Sequence, residues 1–343
     1  LHVSFTERKL KVNVTSKRKR IVSGMRPTGR LHLGHYHGVL SNWLELQERH
    51  ECFFFAADWH ALTTEYANPG FVRENIDELF LDWLSVGIDT ERCIMFRQSA
   101  ILEHAELHLL LSMLTPVPWL ERNPTYKDQL EQLKEKELNT YGFLGYPVLQ
   151  AADIVIYKAN AVPIGLDQLP HLELTREIAR RFNSIYKRGL FPEPEPLLTE
   201  TPKILGTDGR KMSKSYNNAI YLSDGREEVR QKVSTMFTDP QRLRRHDPGR
   251  PDVCALFPLY RLYSPAEEVE EIDRECRKAG IGCVDCKKRL IERLNNALDP
   301  IRERRAHFAA NKEQVKKIVS DGTEKAMVIA KRTMEEVREA VGI

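Results

Sequence analysis

Residues 21–46 constrain this chain more than any other stretch. Ile21 and Val22 read as the end of a short buried strand, and Leu40, Trp43 and Leu44 recur at helical spacing within Tyr36 to Leu46. Between them lies Ser23-Gly24-Met25-Arg26-Pro27-Thr28-Gly29-Arg30-Leu31-His32-Leu33-Gly34-His35. A strand, a glycine turn and a helix start form the opening half of a βαβ unit. A helix start presents free backbone N–H groups and a positive dipole end, which suit a phosphate. His32 and His35 are three residues apart and share one face of the first turn. Two imidazoles there can donate to phosphoryl oxygens that gain charge in a transition state. Gly34 would let a nucleotide lie close to the backbone. Taken alone, the stretch also fits an ordinary βα turn with two surface histidines.

The alternation continues. Glu51 to Ala57 is an apolar run that reads as a buried parallel strand, and it leads into Asp58-Trp59-His60 at the strand's carboxyl end, where open α/β sheets bind ligands. Asn68-Pro69-Gly70 breaks the chain, after which Ile76, Leu79, Phe80, Trp83 and Leu84 form one helical stripe. A third strand is expected at Cys93–Phe96, a helix at Glu103–Leu114, and an insertion between two halves of the fold at about 115–141. An apolar helix is expected over Phe143–Tyr157, a strand at Ala161–Ile164, and a helix from His171 to Phe182. Phe191 to Pro196 reads as a proline-rich joint. Beyond residue 222 the strand signals fade, and Glu227–Met236, Glu267–Arg277, Lys287–Leu298 and Glu324–Val341 carry helical periodicity. Strands alternating with helices predict a parallel sheet with right-handed crossovers.

A chain of 343 residues can bury a large core and splits readily into two domains. No apolar run approaches the ~20 residues that span a bilayer, and the first residues lack the apolar stretch of a secretory signal. The first 20 residues hold seven Lys or Arg against Glu7, a net +6, which leaves −3 for the rest out of a total of +3. The basic segment is expected to be a disordered extension, with attraction to RNA as the alternative.

The loop Gly206-Thr207-Asp208-Gly209-Arg210 leads into Lys211-Met212-Ser213-Lys214-Ser215. Two lysines on such a loop can clamp the outer phosphates of ATP as point charges. HLGH near the start and KMSKS far downstream together resemble the paired motifs of class I aminoacyl-tRNA synthetases. From Arg20 to the C-terminal residues the likeness is specifically to tryptophanyl-tRNA synthetases. It is carried by SGMRPTGRLHLGH, DWHALT, YPVLQAADI, PIGLDQ, HLELTREIARRFN, GTDGRKMSKS and TDPQRLRRHDPG. The resemblance implies a Rossmann-type parallel-sheet catalytic domain over 20–205, a KMSKS loop at 206–222, and a helical anticodon-binding domain over 223–343. It also implies tryptophan activation with ATP and Mg²⁺, transfer to tRNA(Trp), a homodimer and a cytoplasmic location.

By the same carry-over, His32, His35, Lys211 and Lys214 would be catalytic. Arg26, Thr28, Gly34, Gly165, Asp167, Met212 and Ser213 would join them in binding ATP, with Asp167 on the ribose and Met212 offering backbone to adenine. Asp153 would accept the indole N–H, Met25, His60 and Gln150 would line the side-chain pocket, and Tyr146 and Gln168 would sit near the amino group. Indole offers one donor and a buried carboxylate is a strong acceptor, so a site built on that bond discriminates against side chains without a donor. Arg26 stands where many bacterial relatives have glutamine, and Gln150 where many have methionine. Tyrosine is the competing substrate, since its synthetase shares the architecture and places an Asp near the phenol.

Cys254, Cys276, Cys283 and Cys286 form C-x21-C-x6-C-x2-C, while Cys52 and Cys93 fall in predicted strands. Four thiolates satisfy a structural zinc or an iron–sulfur cluster, and spacing does not separate the two. The resemblance implies the cluster: a subset of bacterial tryptophanyl-tRNA synthetases carries [4Fe–4S] on similarly spaced cysteines. Arg242, Arg244, Arg245 and Arg250, just before Cys254, form a basic segment that reads equally as a contact for tRNA phosphates and as a solvated loop. Two other readings compete. A binding module that has lost aminoacylation would have no need of both phosphate-facing motifs. Another nucleotidyltransferase with an HxGH turn would leave KMSKS and the helical C-terminal half unexplained.

Overall fold

In the computed structural model the described residues are 18–132, 137–198 and 204–343. Residues 1–17 of the basic segment and part of the 115–141 insertion therefore lie outside the described residues. The chain runs β1 Arg20–Met25, α1 Leu33–His35, α2 Ser41–Leu46, β2 Glu51–Ala56, α3 Asp58–Glu65, α4 Pro69–Val86, β3 Cys93–Arg97 and α5 Glu103–Leu114. There follow α6 Val117–Glu121, α7 Pro124–Gln132, α8 Tyr141–Val155, β4 Ala161–Ile164, α9 Leu169–Ile185 and β5 Glu195–Leu198. The C-terminal half is α10 Arg226–Ser234, α11 Leu256–Tyr263, α12 Ala266–Arg277, α13 Cys283–Ala310 and α14 Lys312–Val341. A π-helical turn, Tyr36–Leu40, joins α1 to α2.

The five strands pair in parallel in the order β3-β2-β1-β4-β5. The order reverses between β1 and β4, so the loops after Met25 and Ile164 diverge and open a crevice at the carboxyl ends of the strands. Side-chain alternation along β2 builds two cores. Cys52, Phe54 and Ala56 face one layer, where the Trp43 ring stacks on Phe54 at 4.1 Å. Phe53, Phe55 and Ala57 face the other, with α5, α8 and α9 residues such as Leu107, Val148 and Ile178.

One expectation needs correction. The proline-rich joint runs into β5, whose Pro196 pairs with Val162. Proline lacks the N–H that a central strand must donate, but β5 is an edge strand and tolerates it. The C-terminal helices also pack against the sheet. Ala326, Ala330, Met334 and Val337 of α14 belong to the same core as β2 and α8. At Gly322 the helix backbone comes so close to edge strand β3 that an added Cβ would lie 2.0 Å from the Met95 carbonyl oxygen. Arg338 of α14 donates to Glu106 on α5 at 2.7 Å, fixing the far end. The helix α11 has no counterpart in the periodicity reading.

Gly322→Ala is expected to destabilise the fold by roughly 1–3 kcal/mol or more, because a backbone carbonyl cannot move aside as a flexible side chain can. Chemical denaturation of the variant against the parent chain measures it.

Candidate active site

The HLGH turn is held from three sides. Leu33 N–H donates to Ile220 O at 3.0 Å and Leu222 N–H to Leu31 O at 2.9 Å, so His32 pairs antiparallel with Tyr221. Leu31 N–H also donates to Asp82 Oδ2 at 3.1 Å. Asp82 in turn accepts from Arg305 of α13 at 2.8 Å, and Arg305 reaches Glu78 as well. Asp82 is almost fully buried, and burial raises its pKa to about 6 against the opposing pull of Arg305.

Within the turn, His32 Nδ1 accepts from Gly34 N–H at 3.1 Å, and His35 Nδ1 accepts from His32 N–H at 3.2 Å. Both Nδ1 atoms are thereby acceptors, which leaves each neutral ring with its proton on Nε2. The two rings lie 3.9 Å apart. Burial, reinforced by Lys214, lowers His32 to about 4. Burial, with His32 and Lys214 adding to it, lowers His35 well below the ordinary value. At neutral pH the pair therefore offers two uncharged N–H donors. Gly34 is required inside the turn itself, since a Cβ there would meet His32 Cε1 at 2.8 Å.

Lys214 closes over the same turn. Its ammonium donates to Thr28 O at 3.0 Å and Gly29 O at 2.7 Å. Gly29 has φ +104, a conformation glycine alone adopts readily. Burial lowers Lys214 to about 8, with Asp82 opposing the shift. Lys211 is exposed and Met212 buried, its N–H on Ile204 O at 2.9 Å. Asn218 braces the loop from within: its Oδ1 accepts from Ser213 N–H at 2.8 Å, and its Nδ2 donates to Asp208 at 2.7 Å.

At the end of β1, Arg26 is largely enclosed and donates to Thr64, while its Nε is buried without a hydrogen bond among the described residues. Burial lowers its pKa, opposed by Glu65 and Tyr146. The Tyr146 hydroxyl meets His171 Nε2 at 2.7 Å, and His171 Nδ1 meets Gln168 Oε1 at 3.1 Å. Gln168 Nε2 donates to Asp167 at 3.0 Å, and the Asp167 carboxylate folds back over Gly165. Met25 ends β1, and Gln150 is half-buried on α8.

Asp153 is wholly enclosed on α8. It accepts from His60 Nε2 at 2.8 Å, His104 Nδ1 at 2.6 Å, and Gln98 Nε2 at 2.9 Å to each oxygen. Burial, the largest influence, pushes its pKa up, but the His104 and His60 hydrogen bonds outweigh it and hold the carboxyl at about 2. The sequence reading found His60 and Asp153 but missed Gln98, His104, His171, Asn218 and Asp82. Gln98 follows directly on β3, so a polar residue at a strand's carboxyl end was the available signal.

In the helical half, Cys254 follows a short turn, Cys276 lies near the end of α12, and Cys283 and Cys286 open α13. None of them is paired in a disulfide among the described residues. Arg242 Nη1 points at Cys276 Sγ (3.7 Å) and Cys283 Sγ (3.9 Å). A Cβ on Gly249 would sit 2.5 Å from Cys276 Sγ. Burial raises the Cys254, Cys276 and Cys286 thiols, the last to about 12. Among the described residues no three His, Cys, Asp or Glu side chains are placed to grip a single metal ion. The basic segment divides: Arg242 turns inward, Arg250 is held by Asp239 at 2.6 Å, and Arg244 and Arg245 stay exposed.

Residues 15–299 match the family described as tRNA synthetases class I (W and Y). The chain is 48% identical to a tryptophan–tRNA ligase of Aquifex aeolicus, over 94% of this chain and all of that one. It is 50% identical to the tryptophan–tRNA ligase of Thermotoga maritima, over 94% of this chain and 99% of that one. The crystal structure of the Campylobacter jejuni tryptophanyl-tRNA synthetase complexed with ADP and tryptophan superposes with a TM-score of 0.87 at 32% identity, covering 94% of this chain and 100% of that one.

Asn218→Ala is expected to loosen the loop it braces. Limited trypsinolysis should cut at Arg210, Lys211 or Lys214 several-fold faster in the variant while the rest of the chain resists.

Proposed function

Because the chain belongs to the class I tRNA synthetases of the tryptophan and tyrosine group, we propose a division of its residues among the steps of that chemistry. The reaction is that of a tryptophan–tRNA ligase: tryptophan and ATP give tryptophanyl-adenylate and pyrophosphate, and the aminoacyl group then passes to tRNA(Trp). The observation that carries the substrate assignment is Asp153, a buried carboxylate kept ionised by N–H donors alone. Such a group selects a side chain that offers one N–H donor.

In the first step the tryptophan carboxylate attacks the α-phosphate. No side chain need form a covalent bond, so the protein contributes position and charge. His32 and His35 donate from Nε2 to the phosphate oxygens as neutral rings. Lys214 leaves the Thr28 and Gly29 carbonyls for the leaving pyrophosphate, joined by Lys211 and by Mg²⁺. Gly34 and Ser213 lie along the nucleotide, Met212 offers backbone to adenine, and Gly165 and Asp167 take the ribose. The unpaired Nε of Arg26 suits an anionic oxygen near Thr28. Tyr146 and Gln168, linked through His171, hold the amino group, while Met25, His60 and Gln150 line the indole pocket.

We assign residues 20–205 to catalysis, 206–222 to the KMSKS loop and 223–343 to anticodon binding. Arg244 and Arg245, the exposed arginines of the basic segment, face solvent for tRNA phosphates. Leu102, just before α5, and Leu109 and Met113 on it are 70%, 55% and 72% exposed at helical spacing, an apolar face suited to a homodimer. No described helix is long and apolar enough to cross a membrane, and the reaction assigns the protein to the cytoplasm.

The four cysteines are read as the ligands of a [4Fe–4S] cluster, with zinc the alternative, on the likeness of their spacing to cluster-bearing relatives. Arg242 Nη1, 3.7 Å from Cys276 Sγ and 3.9 Å from Cys283 Sγ, sets a cation beside the sulfurs. Such a cluster would be held by Cys254, Cys276, Cys283 and Cys286 and would supply structural rigidity beside the tRNA, with no electron transfer in the reaction.

ATP–pyrophosphate exchange with tryptophan and tyrosine supplied separately tests the reading: exchange is expected with tryptophan alone, and exchange with tyrosine would overturn the pocket assignment. Lys214→Ala should lower exchange by roughly a hundredfold while tryptophan binding, read by equilibrium dialysis, stays unchanged. A lysine lowered to about 8 loses its charge as pH rises through that value, so the KM for ATP should rise above it. Lys214→Arg should flatten that alkaline limb. Anaerobically purified protein should contain iron and acid-labile sulfide, and both should be lost in Cys283→Ser.

A further inference from the structure

The recognition carboxylate is held by two layers of residues, and the inner one has no role in the steps above. Gln98 and His104 are both fully inaccessible to solvent, whereas His60 keeps some exposure at the pocket wall. The orientation of each inner donor is determined. Gln98 Oε1 accepts from Trp59 N–H at 3.1 Å and His60 N–H at 3.4 Å, at the start of α3. Only its amide NH₂ is left to face Asp153. An ionised Asp153 can only accept, so His104 Nδ1 must carry a proton. His104 Nε2 lies 2.7 Å from the Tyr157 hydroxyl. Burial, aided by Asp153, raises the Tyr157 pKa further still, so that hydroxyl keeps its proton and donates it to Nε2. The chain of donors then runs one way, from Tyr157 through His104 to Asp153.

A carboxyl taken wholly out of water tends to bind a proton. Once protonated it would be a donor as well as an acceptor, and its preference for an N–H over an apolar edge would fade. We propose that His104, fixed in one tautomer by Tyr157, is a positioning residue that keeps Asp153 an acceptor of single orientation, and that it thereby sets selection for the indole N–H. This rests on the tryptophan reading of the site. It adds residues that touch neither substrate nor reacting atoms but decide what Asp153 accepts.

The test is ATP–pyrophosphate exchange on the full chain with two amino acids: L-tryptophan, and the alanine derivative of benzothiophene, in which sulfur replaces the indole N–H. The parent chain should use tryptophan and strongly disfavour the sulfur analogue. In His104→Phe the KM for tryptophan should rise by roughly tenfold or more, the scale of a lost hydrogen bond to a charged group. The KM for the analogue should move less than about twofold, so the selectivity ratio collapses. Tyr157→Phe removes a single hydroxyl and should shift the ratio the same way by less. His104→Asn keeps a donor near the Nδ1 position and should restore part of it. The KM for ATP should stay constant throughout. Should His104→Phe fail to fold, Tyr157→Phe and His104→Asn decide the matter. An unchanged ratio in the variants, or equal rises in both KM values, would overturn the proposal and leave the tryptophan assignment standing. Absence of tryptophan-driven exchange in the parent chain would remove the assignment itself, and this inference with it.

Discussion

Two backbone hydrogen bonds, Leu33 N–H to Ile220 O and Leu222 N–H to Leu31 O, join segments almost 190 residues apart in the chain. They are what makes HLGH and KMSKS one site. The β1 loop brings its histidines to the crevice at the strand-order reversal, and the C-terminal side of the KMSKS loop is stitched to the residues flanking them. Lys214 reaches across this seam to the Thr28 and Gly29 carbonyls. A loop anchored at one end and braced inside by Asn218 can move without losing its register.

Two buried carboxylates show how differently the same chemical group is used. Asp82 faces Arg305 and a backbone N–H, and burial still lifts its pKa to about 6. It ties α4, the HLGH turn and α13 together. Asp153 has no guanidinium or ammonium partner among the described residues, yet the His104 and His60 hydrogen bonds hold it at about 2. The difference lies in the number of hydrogen bonds that converge on each. Asp82 serves as a strut between elements, while Asp153 is the point on which side-chain donors from α3, α5 and the end of β3 converge.

Much of this was legible in the residues themselves. The apolar run of β2, the stripe of α4 and the match of α5 to Glu103–Leu114 follow from periodicity, because burial enforces it at every turn. HLGH and KMSKS could be paired only through resemblance, since nothing local to either says that Leu33 will bond Ile220. β5 was hidden by Pro196, a residue tolerated at an edge that no sequence pattern reveals. His104 and Gln98 were hidden for a different reason. A buried polar side chain looks like any surface one until its partner is known, and Asp153 lies about fifty residues away.

The contact between Gly322 and Met95 bears on how the chain matures. β3 is an edge strand, and edge strands offer unpaired backbone groups to any neighbouring strand. Here the cover is a helix that leaves the ribosome after every strand of the sheet. Through most of translation the β3 edge is bare, and a nascent chain stalled before α14 would carry an open template for aggregation. The glycine that lets the helix seat so closely thus closes the exposed edge only at the last step, when α14 emerges and docks.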